Sequence, residues 1–259
     1  LYYKQKNIHD FAWFADKRFH VLKGEVELPY SKRKVTIWTM FTNNEAELWK
    51  NSIEYMHDAI YYYSLWNGEY PYKQCTAVDG TISAGGGMEY PNVTIIGESG
   101  SAKALEEVIV HEVGHNWFYG IIGTNERQHP WMDEGINTFV QTITERSWEE
   151  NWPRKKALPR NMINYMKSDK QVPIMTNSES ILRFGANAYA KPAAALTVLR
   201  DTVMGRELFD FAFKEYANRW KFKRPMPADF FRTMEDASGM DLDWFWRGWF
   251  YSTDHTDIG

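Results

Sequence analysis

The stretch Val108-Ile109-Val110-His111-Glu112-Val113-Gly114-His115-Asn116-Trp117-Phe118 sets two imidazoles and a carboxylate in otherwise mostly apolar sequence. On a helix, residues four apart share a face. His111 and His115 can then offer two ring nitrogens to one ion, with Glu112 beside them. Val108 and Phe118 flank that face, while Ile109, Val113 and Trp117 cover the opposite one. A helix that is apolar nearly all round is a buried helix. Burying a carboxylate with two imidazoles is costly unless the charge is compensated, and a divalent cation does this. The alternative is a core helix whose polar groups satisfy one another through hydrogen bonds.

Zinc sites that hydrolyse peptides use three protein ligands and keep one position for water. Downstream, Pro130-Trp131-Met132-Asp133-Glu134-Gly135-Ile136-Asn137-Thr138-Phe139 reads as the start of a second helix. Its distance from His115 leaves room for a turn and an antiparallel return, so Glu134 can reach the same ion. The competing reading makes Glu134 an acidic residue favoured by the helix N-terminal dipole, a part Asp133 can also play.

The rest of the sequence narrows the class. The 259 residues carry a net charge of −4 with dispersed basic groups, which argues against nucleic acid as a partner. The cluster Lys32, Arg33, Lys34 reads as a solvated turn. One cysteine, Cys75, excludes an internal disulfide and any multi-cysteine metal cluster, and it reads as a small core residue. An aromatic share of 16%, with 12 Trp, points to ring-lined cores or clefts. No apolar run approaches the roughly 18 residues of a membrane span, and the first residues do not form a signal peptide. Leu1 is not an initiator methionine, so the chain reads as a piece of something longer.

Alternation predicts a strand over 34–41. A long helix capped by Asn43 or Asn44 is expected to run to Gly68, followed by β-like sequence from Thr76 to Ile96 that the run Gly85-Gly86-Gly87 interrupts. Helices are predicted at 104–119, 132–149, 189–203, 206–219 and 227–237, the last with Pro227 in its first turn. Strands early and helices late give an α+β class, a mixed-sheet lobe at about 28–103 followed by a helical lobe at about 104–259. His9, His20, His57, His129 and His255 lack ligand spacing and read as surface or structural.

His-Glu-x-x-His followed at this interval by Glu, within Trp-x-x-Glu-Gly, resembles the gluzincin peptidases of the M1 aminopeptidase family. Gly86-Gly87-Met88-Glu89-Tyr90 is similar to that family's Gly-x-Met-Glu-Asn exopeptidase motif. Tyr189-Ala190-Lys191-Pro192 is similar to its Tyr-x-Lys-Gly segment. The resemblance runs from about residue 8 to the closing Asp241-Leu242-Asp243-Trp244-Phe245-Trp246, nearly the whole chain.

The resemblance implies a thermolysin-like catalytic domain over 28–259, with residues 1–27 as the tail of a preceding β-rich domain and a following helical domain absent. It implies one zinc ion held by His111, His115 and Glu134, with Glu112 as general base and Tyr189 as hydrogen-bond donor to the oxyanion. Glu89, with Gly86, Gly87 and Met88, would hold the free amino terminus of a peptide substrate. Without the resemblance, Tyr189 reads equally well as an ordinary helix tyrosine, the glycines as a turn or bulge, and Glu89 as a solvated acid. A zinc endopeptidase that makes no use of Glu89, or a silent peptide-binding scaffold, are the rival functions. The Gly-Gly-Gly-Met-Glu-Tyr-Pro variant resembles exported bacterial members, which implies a periplasmic or membrane-tethered parent. Three departures stand out: Tyr90 for Asn, Pro192 for Gly, and Gln141 where relatives carry Glu, the last expected to be a weaker partner for a ligand imidazole.

Overall fold

The structure is a computed structural model that describes residues 2–83, 85–150 and 157–254; His255 lies outside the described residues. The chain divides into two compact units, Leu1–Ile121 and Ile122–Gly259.

The first unit holds a five-stranded mixed sheet in the order β1-β2-β3-β5-β4. The strands are β1 (His20–Glu27), β2 (Lys34–Phe41), β3 (Gln74–Asp79), β4 (Gly87–Met88) and β5 (Val93–Ile96). The predicted strand at 34–41 is β2, and its alternation sends Val35, Ile37, Thr39 and Phe41 inward. Central β3 buries four successive residues, Cys75 to Val78, as a strand covered on both faces does. β2, β3 and β5 are parallel to one another, and β1 and β4 close the two edges antiparallel. β1 pairs with β2 along its whole length, so residues 20–27 of the segment read as a preceding domain's tail form an edge strand of this sheet.

The helix expected from Asn43 or Asn44 to Gly68 is two helices, α1 (Ala46–Trp49) and α2 (Ser52–Asn67), with no side-chain cap from either asparagine. Ser52 Oγ donates to Thr39 Oγ1 on β2 at 2.8 Å, pinning the start of α2 to the sheet, while Asn51 leaves helical dihedrals (φ −101°, ψ 8°). Helix α3 (Ala102–Gly114) packs on α2, β4 and β5. The first unit therefore extends to Ile121, past the sheet boundary expected at 103. The basic cluster is engaged locally: Lys34 pairs with Glu25 at 3.1 Å, and the Arg33 guanidinium donates to the carbonyls of Tyr70 and Tyr72.

The second unit is helical: α4 (Ile136–Trp148), α5 (Ile163–Met166), α6 (Lys191–Val198), α7 (Arg206–Trp220), α8 (Pro227–Ser238) and α9 (Asp243–Trp246). Pro227 opens α8, and the Asp229 carboxylate accepts the Met226 N–H at 2.8 Å. Its core carries the aromatic surplus of the sequence: Phe231 stacks on Trp246 at 4.5 Å, and Trp131 meets Phe250 at 4.7 Å. Wide π-helical turns replace regular helix at Trp131–Gly135 and Gly185–Ala190, short segments that carry Glu134 and Tyr189. Sheet in the first unit and helices in the second make the chain α+β, as expected.

Candidate functional site

Helix α3 starts two residues before the predicted 104 because Ser101 caps it, its Oγ accepting the Ala104 N–H at 3.1 Å. It ends at Gly114 instead of 119, where the chain turns toward Tyr119, which lies in the left-handed region at φ 113°. His115 keeps helical dihedrals, and its N–H bonds the His111 carbonyl at 3.3 Å. The one-turn relation between the two histidines therefore survives the shorter helix.

Their rings meet edge to face with centroids 4.7 Å apart, and the two Nε2 atoms are 3.1 Å apart. His115 Nδ1 lies 3.0 Å from the Phe118 carbonyl oxygen. A carbonyl only accepts, so Nδ1 carries the hydrogen and Nε2 presents its lone pair toward His111. Two nitrogens bound to one tetrahedral zinc at about 2.0–2.1 Å stand about 3.3 Å apart. The observed separation fits that donor geometry, and the carbonyl anchor on Nδ1 is the usual support of a ligand imidazole.

Glu112 is buried, one residue from His111 on the same helix. A Cβ placed on Gly87 would stand 2.4 Å from the Glu112 carboxyl carbon, and one on Gly86 would stand 3.3 Å from Val108 Cγ2. Gly87 thus admits the Glu112 face of α3 directly onto β4, where a side chain would displace the carboxylate, and Gly86 lies close against Val108 just before the strand. β4 pairs Gly87 with Ile96 and Met88 with Ile95, and Gly97 N–H donates to Gly86 O at 2.8 Å. Its other side is an edge of the sheet. Glu89 follows β4 directly, half-buried. Tyr90, the departure from Asn, sets its ring 6.3 Å from Phe14.

Asn116, which the sequence reading passed over, binds these pieces together. Its Oδ1 accepts the Asn92 N–H at 2.9 Å and its Nδ2 donates to Val113 O at 3.0 Å. Tyr70 donates to Asn92 Oδ1 at 2.8 Å. A buried network of this kind fixes the loop between β4 and β5 to the end of the histidine helix. The position of Asn116 directly after His115 was the available signal. Cys75, fully buried beside it, has its thiol pushed up to about 12 by burial, which agrees with a core residue.

In the second unit, Glu134 and Tyr189 come together: the Tyr189 hydroxyl donates to Glu134 Oε1 at 2.6 Å. Gly135 makes this approach possible, since a Cβ there would stand 2.4 Å from Pro192 Cγ and 2.8 Å from Ala188 O. Pro192, the second departure, is therefore a packing surface for the turn that carries Glu134. The wide turn before it accommodates the missing N–H, with Lys191 N–H bonded to Ala186 O, five residues back. Lys191 itself is 1% exposed, donates to Gln171 Oε1 at 2.9 Å, and burial holds its ammonium down at about 8. Gln141, the third departure, is buried and donates to Glu145 Oε1 at 2.7 Å.

The other histidines take local roles. His9 Nε2 lies 3.0 Å from Tyr119 O, His20 Nε2 2.5 Å from Asn43 Oδ1, and His57 Nδ1 2.9 Å from Asp58 Oδ1. Burial lowers the pKa of His129.

Among curated proteins, the chain is 25% identical over 152 residues to the glutamyl aminopeptidase of Sus scrofa, covering 56% of this chain and 16% of that protein. It is 24% identical over 148 residues to the alanine/arginine aminopeptidase of Saccharomyces cerevisiae, covering 54% of this chain and 17% of that protein. Among solved structures, the M1 zinc metallopeptidase from Deinococcus radiodurans superposes with a TM-score of 0.73 at 18% identity, over 93% of this chain and 53% of that one. Aminopeptidase A of Legionella pneumophila, solved with aspartic acid, gives 0.72 at 16% identity, over 90% and 28%. The chain thus spans about half of the Deinococcus structure and about a sixth of the two curated relatives. The model of the Peptidase family M1 domain matches residues 51–249, the span that holds every motif described above, and the chain belongs to that family.

Proposed function

We propose that this chain is the catalytic domain of a zinc-dependent aminopeptidase, with one zinc ion held by His111, His115 and Glu134. The observation that carries the reading is the layout of the first unit. Two imidazole Nε2 atoms lie 3.1 Å apart, and the neighbouring carboxylate of Glu112 rests on Gly87 of an edge strand that leads into Glu89. When bound, zinc acidifies water and polarises the scissile carbonyl.

The chain's own groups carry the remaining steps. An extended peptide pairs with the open edge at Gly86 and Gly87, where backbone approaches backbone, and Met88 continues that edge. The Glu89 carboxylate takes the substrate's terminal ammonium and so sets the cut one residue in. Glu112 accepts the proton of the attacking water and delivers it to the leaving amine. The Tyr189 hydroxyl hydrogen-bonds the oxyanion. Flanking domains in a longer parent belong to the same proposal, residues 1–27 leading in from a β-rich domain and 28–259 forming the catalytic part.

The test compares one short peptide with a free amine and the same peptide acetylated, using zinc-loaded protein and protein stripped with a chelator. Cleavage of the free peptide alone, from its amino end and only with zinc, is the expected result. Cleavage of the acetylated peptide as well would move the reading to an endopeptidase. A folded, zinc-loaded protein that cuts neither would move it to a silent peptide-binding domain.

A further inference from the structure

Parallel strands β2, β3 and β5 of the first unit all end on the same side of the sheet, and the chain segments that leave them surround a cavity of about 530 Å³. Carboxyl ends of parallel strands are where such sheets bind ligands. Of the four acids that line this cavity, three come one from each exit: Glu45 after β2, Asp79 at the end of β3 and Glu98 after β5; the fourth is Asp16. Phe14, Phe19 and Ile95 supply apolar wall. At the rim Arg18 is already paired with Asp16, so it leaves the three carboxylates uncompensated.

Glu45 is the telling residue. It is 8% exposed, and its Oε2 is buried with no hydrogen-bond partner among the described residues. Its other hydrogen bond comes from the Ser99 backbone. A buried carboxylate oxygen left without a donor is costly, and here two further acids face it. Burial, then Asp79 and Glu98, raise the Glu45 pKa, which marks the missing positive charge. Asp79 by contrast is anchored, its Oδ2 accepting from the Thr42 N–H at 2.9 Å and hydroxyl at 2.8 Å.

We propose that this cavity binds an organic cation, an ammonium or guanidinium on a short aliphatic arm, with Glu45, Asp79 and Glu98 around the charge and the aromatic walls along the arm. A bare metal ion fits less well, because the oxygens of these three acids do not gather within 4.8 Å of one another. The cavity instead has volume and apolar lining for the arm. The cation supplies the positive charge that the buried Glu45 carboxylate and its two acidic neighbours lack. This site is separate from the zinc reading and does not depend on it.

Calorimetric titration with four probes tests the proposal. N-acetyl-arginine amide and N-acetyl-lysine amide represent a side chain within a peptide, 1,5-diaminopentane represents a free amine, and N-acetyl-norleucine amide is the uncharged control. The cationic probes should bind, norleucine amide at least tenfold more weakly, and added salt should weaken the cations alone. Glu45→Gln should weaken cation binding about tenfold, the scale of one charged hydrogen bond. Glu98→Gln, at an exposed position that a folding defect would spare, should weaken it several-fold. Glu89→Ala should leave it unchanged, which separates this site from any amine binding at the catalytic edge. Preference between the peptide-like probes and the diamine identifies the source of the cation. Equal binding by wild type and both glutamine variants overturns the proposal, and so does a site that binds none of the cations or takes calcium alone.

Discussion

Tyr189 and Glu134, 55 residues apart in sequence, share a 2.6 Å hydrogen bond in which the phenol donates to Oε1 of the carboxylate. The distance is that of a charge-assisted O–H···O⁻ bond. One side chain comes from the π-helical turn Trp131–Gly135 and the other from the turn Gly185–Ala190, so two irregular turns hold the pair. Such turns recur at functional sites because they re-aim single side chains out of helical register. The phenol that the proposed mechanism uses on the oxyanion is thus also a support for a proposed zinc ligand.

Tyr189→Phe separates the two roles. It keeps the ring against Phe184, whose centroid lies 6.0 Å away, so folding should be unaffected. Losing a donor to the oxyanion should lower kcat about 10²–10³-fold, and losing the support of Glu134 should weaken zinc affinity about tenfold. Turnover at saturating zinc, alongside metal content after dialysis against a graded chelator, reads both. Full kcat at saturating zinc would leave Tyr189 with the support of Glu134 alone.

Gly87→Val tests the close approach of Glu112 to the edge strand. A Cβ at position 87 meets the Glu112 carboxyl group at 2.4 Å, so the carboxylate has to move. A general base displaced by about 1 Å costs on the order of 10² in rate. The expected result is a kcat lowered by about that factor with zinc stoichiometry preserved, because the atoms that an added Cβ meets first all belong to Glu112 and not to the His111–His115 pair. Loss of zinc together with activity would mean that the strand supports the whole helix and not the base in particular.

Much of this was legible in the sequence for a physical reason: periodicity and spacing are local properties. The alternation of Val35, Ile37, Thr39 and Phe41 gave β2 its observed limits, and the i, i+4 relation of His111 and His115 survived an error in the length of their helix. What escaped reading depends on contacts between distant residues. The break between α1 and α2 coincides with a bond from Ser52 to Thr39 on the sheet. The wide turns around Glu134 and Tyr189 carry no pattern that distinguishes them from α-helix, and the contact between Gly135 and Pro192 joins residues 57 positions apart. Pro192 stood in the sequence only as a departure from Gly; in the structure it packs against the turn that presents Glu134. Asn116 follows a histidine that already had a role, and its partners Asn92 and Val113 are visible only in three dimensions.

Lys191 should leave a mark on the pH dependence of stability. Its ammonium is 1% exposed and its pKa falls from an ordinary 10.5 to about 8 because burial disfavours the charge. Between those values the unfolded chain holds the proton and the folded chain does not, so stability rises with pH across that window. Below about pH 8 the folded protein carries the charged lysine at a cost of roughly 3 kcal/mol. Lys191→Met removes the titration along with the bond to Gln171. Urea unfolding at pH 7 and pH 10 should show wild type gaining roughly 2–3 kcal/mol relative to this variant. An unchanged difference would place the lysine at its ordinary pKa and remove burial as the dominant influence.

Gly135→Ala probes the packing that brings Glu134 to Tyr189. The added methyl would meet Pro192 Cγ at 2.4 Å and the Ala188 carbonyl at 2.8 Å. Neither is the loose end of a flexible side chain, so the turn carrying Glu134 must shift away from α6. Overpacking of this kind costs about 1–3 kcal/mol, and the movement should stretch the 2.6 Å bond between Tyr189 and Glu134. A lower thermal midpoint and weaker zinc binding are expected together. Gly135→Ala combined with Pro192→Gly, which removes the ring that the methyl strikes, should recover part of both. Recovery of the midpoint without recovery of zinc affinity would show that Gly135 serves the packing of this unit and that Glu134 does not depend on it for its place.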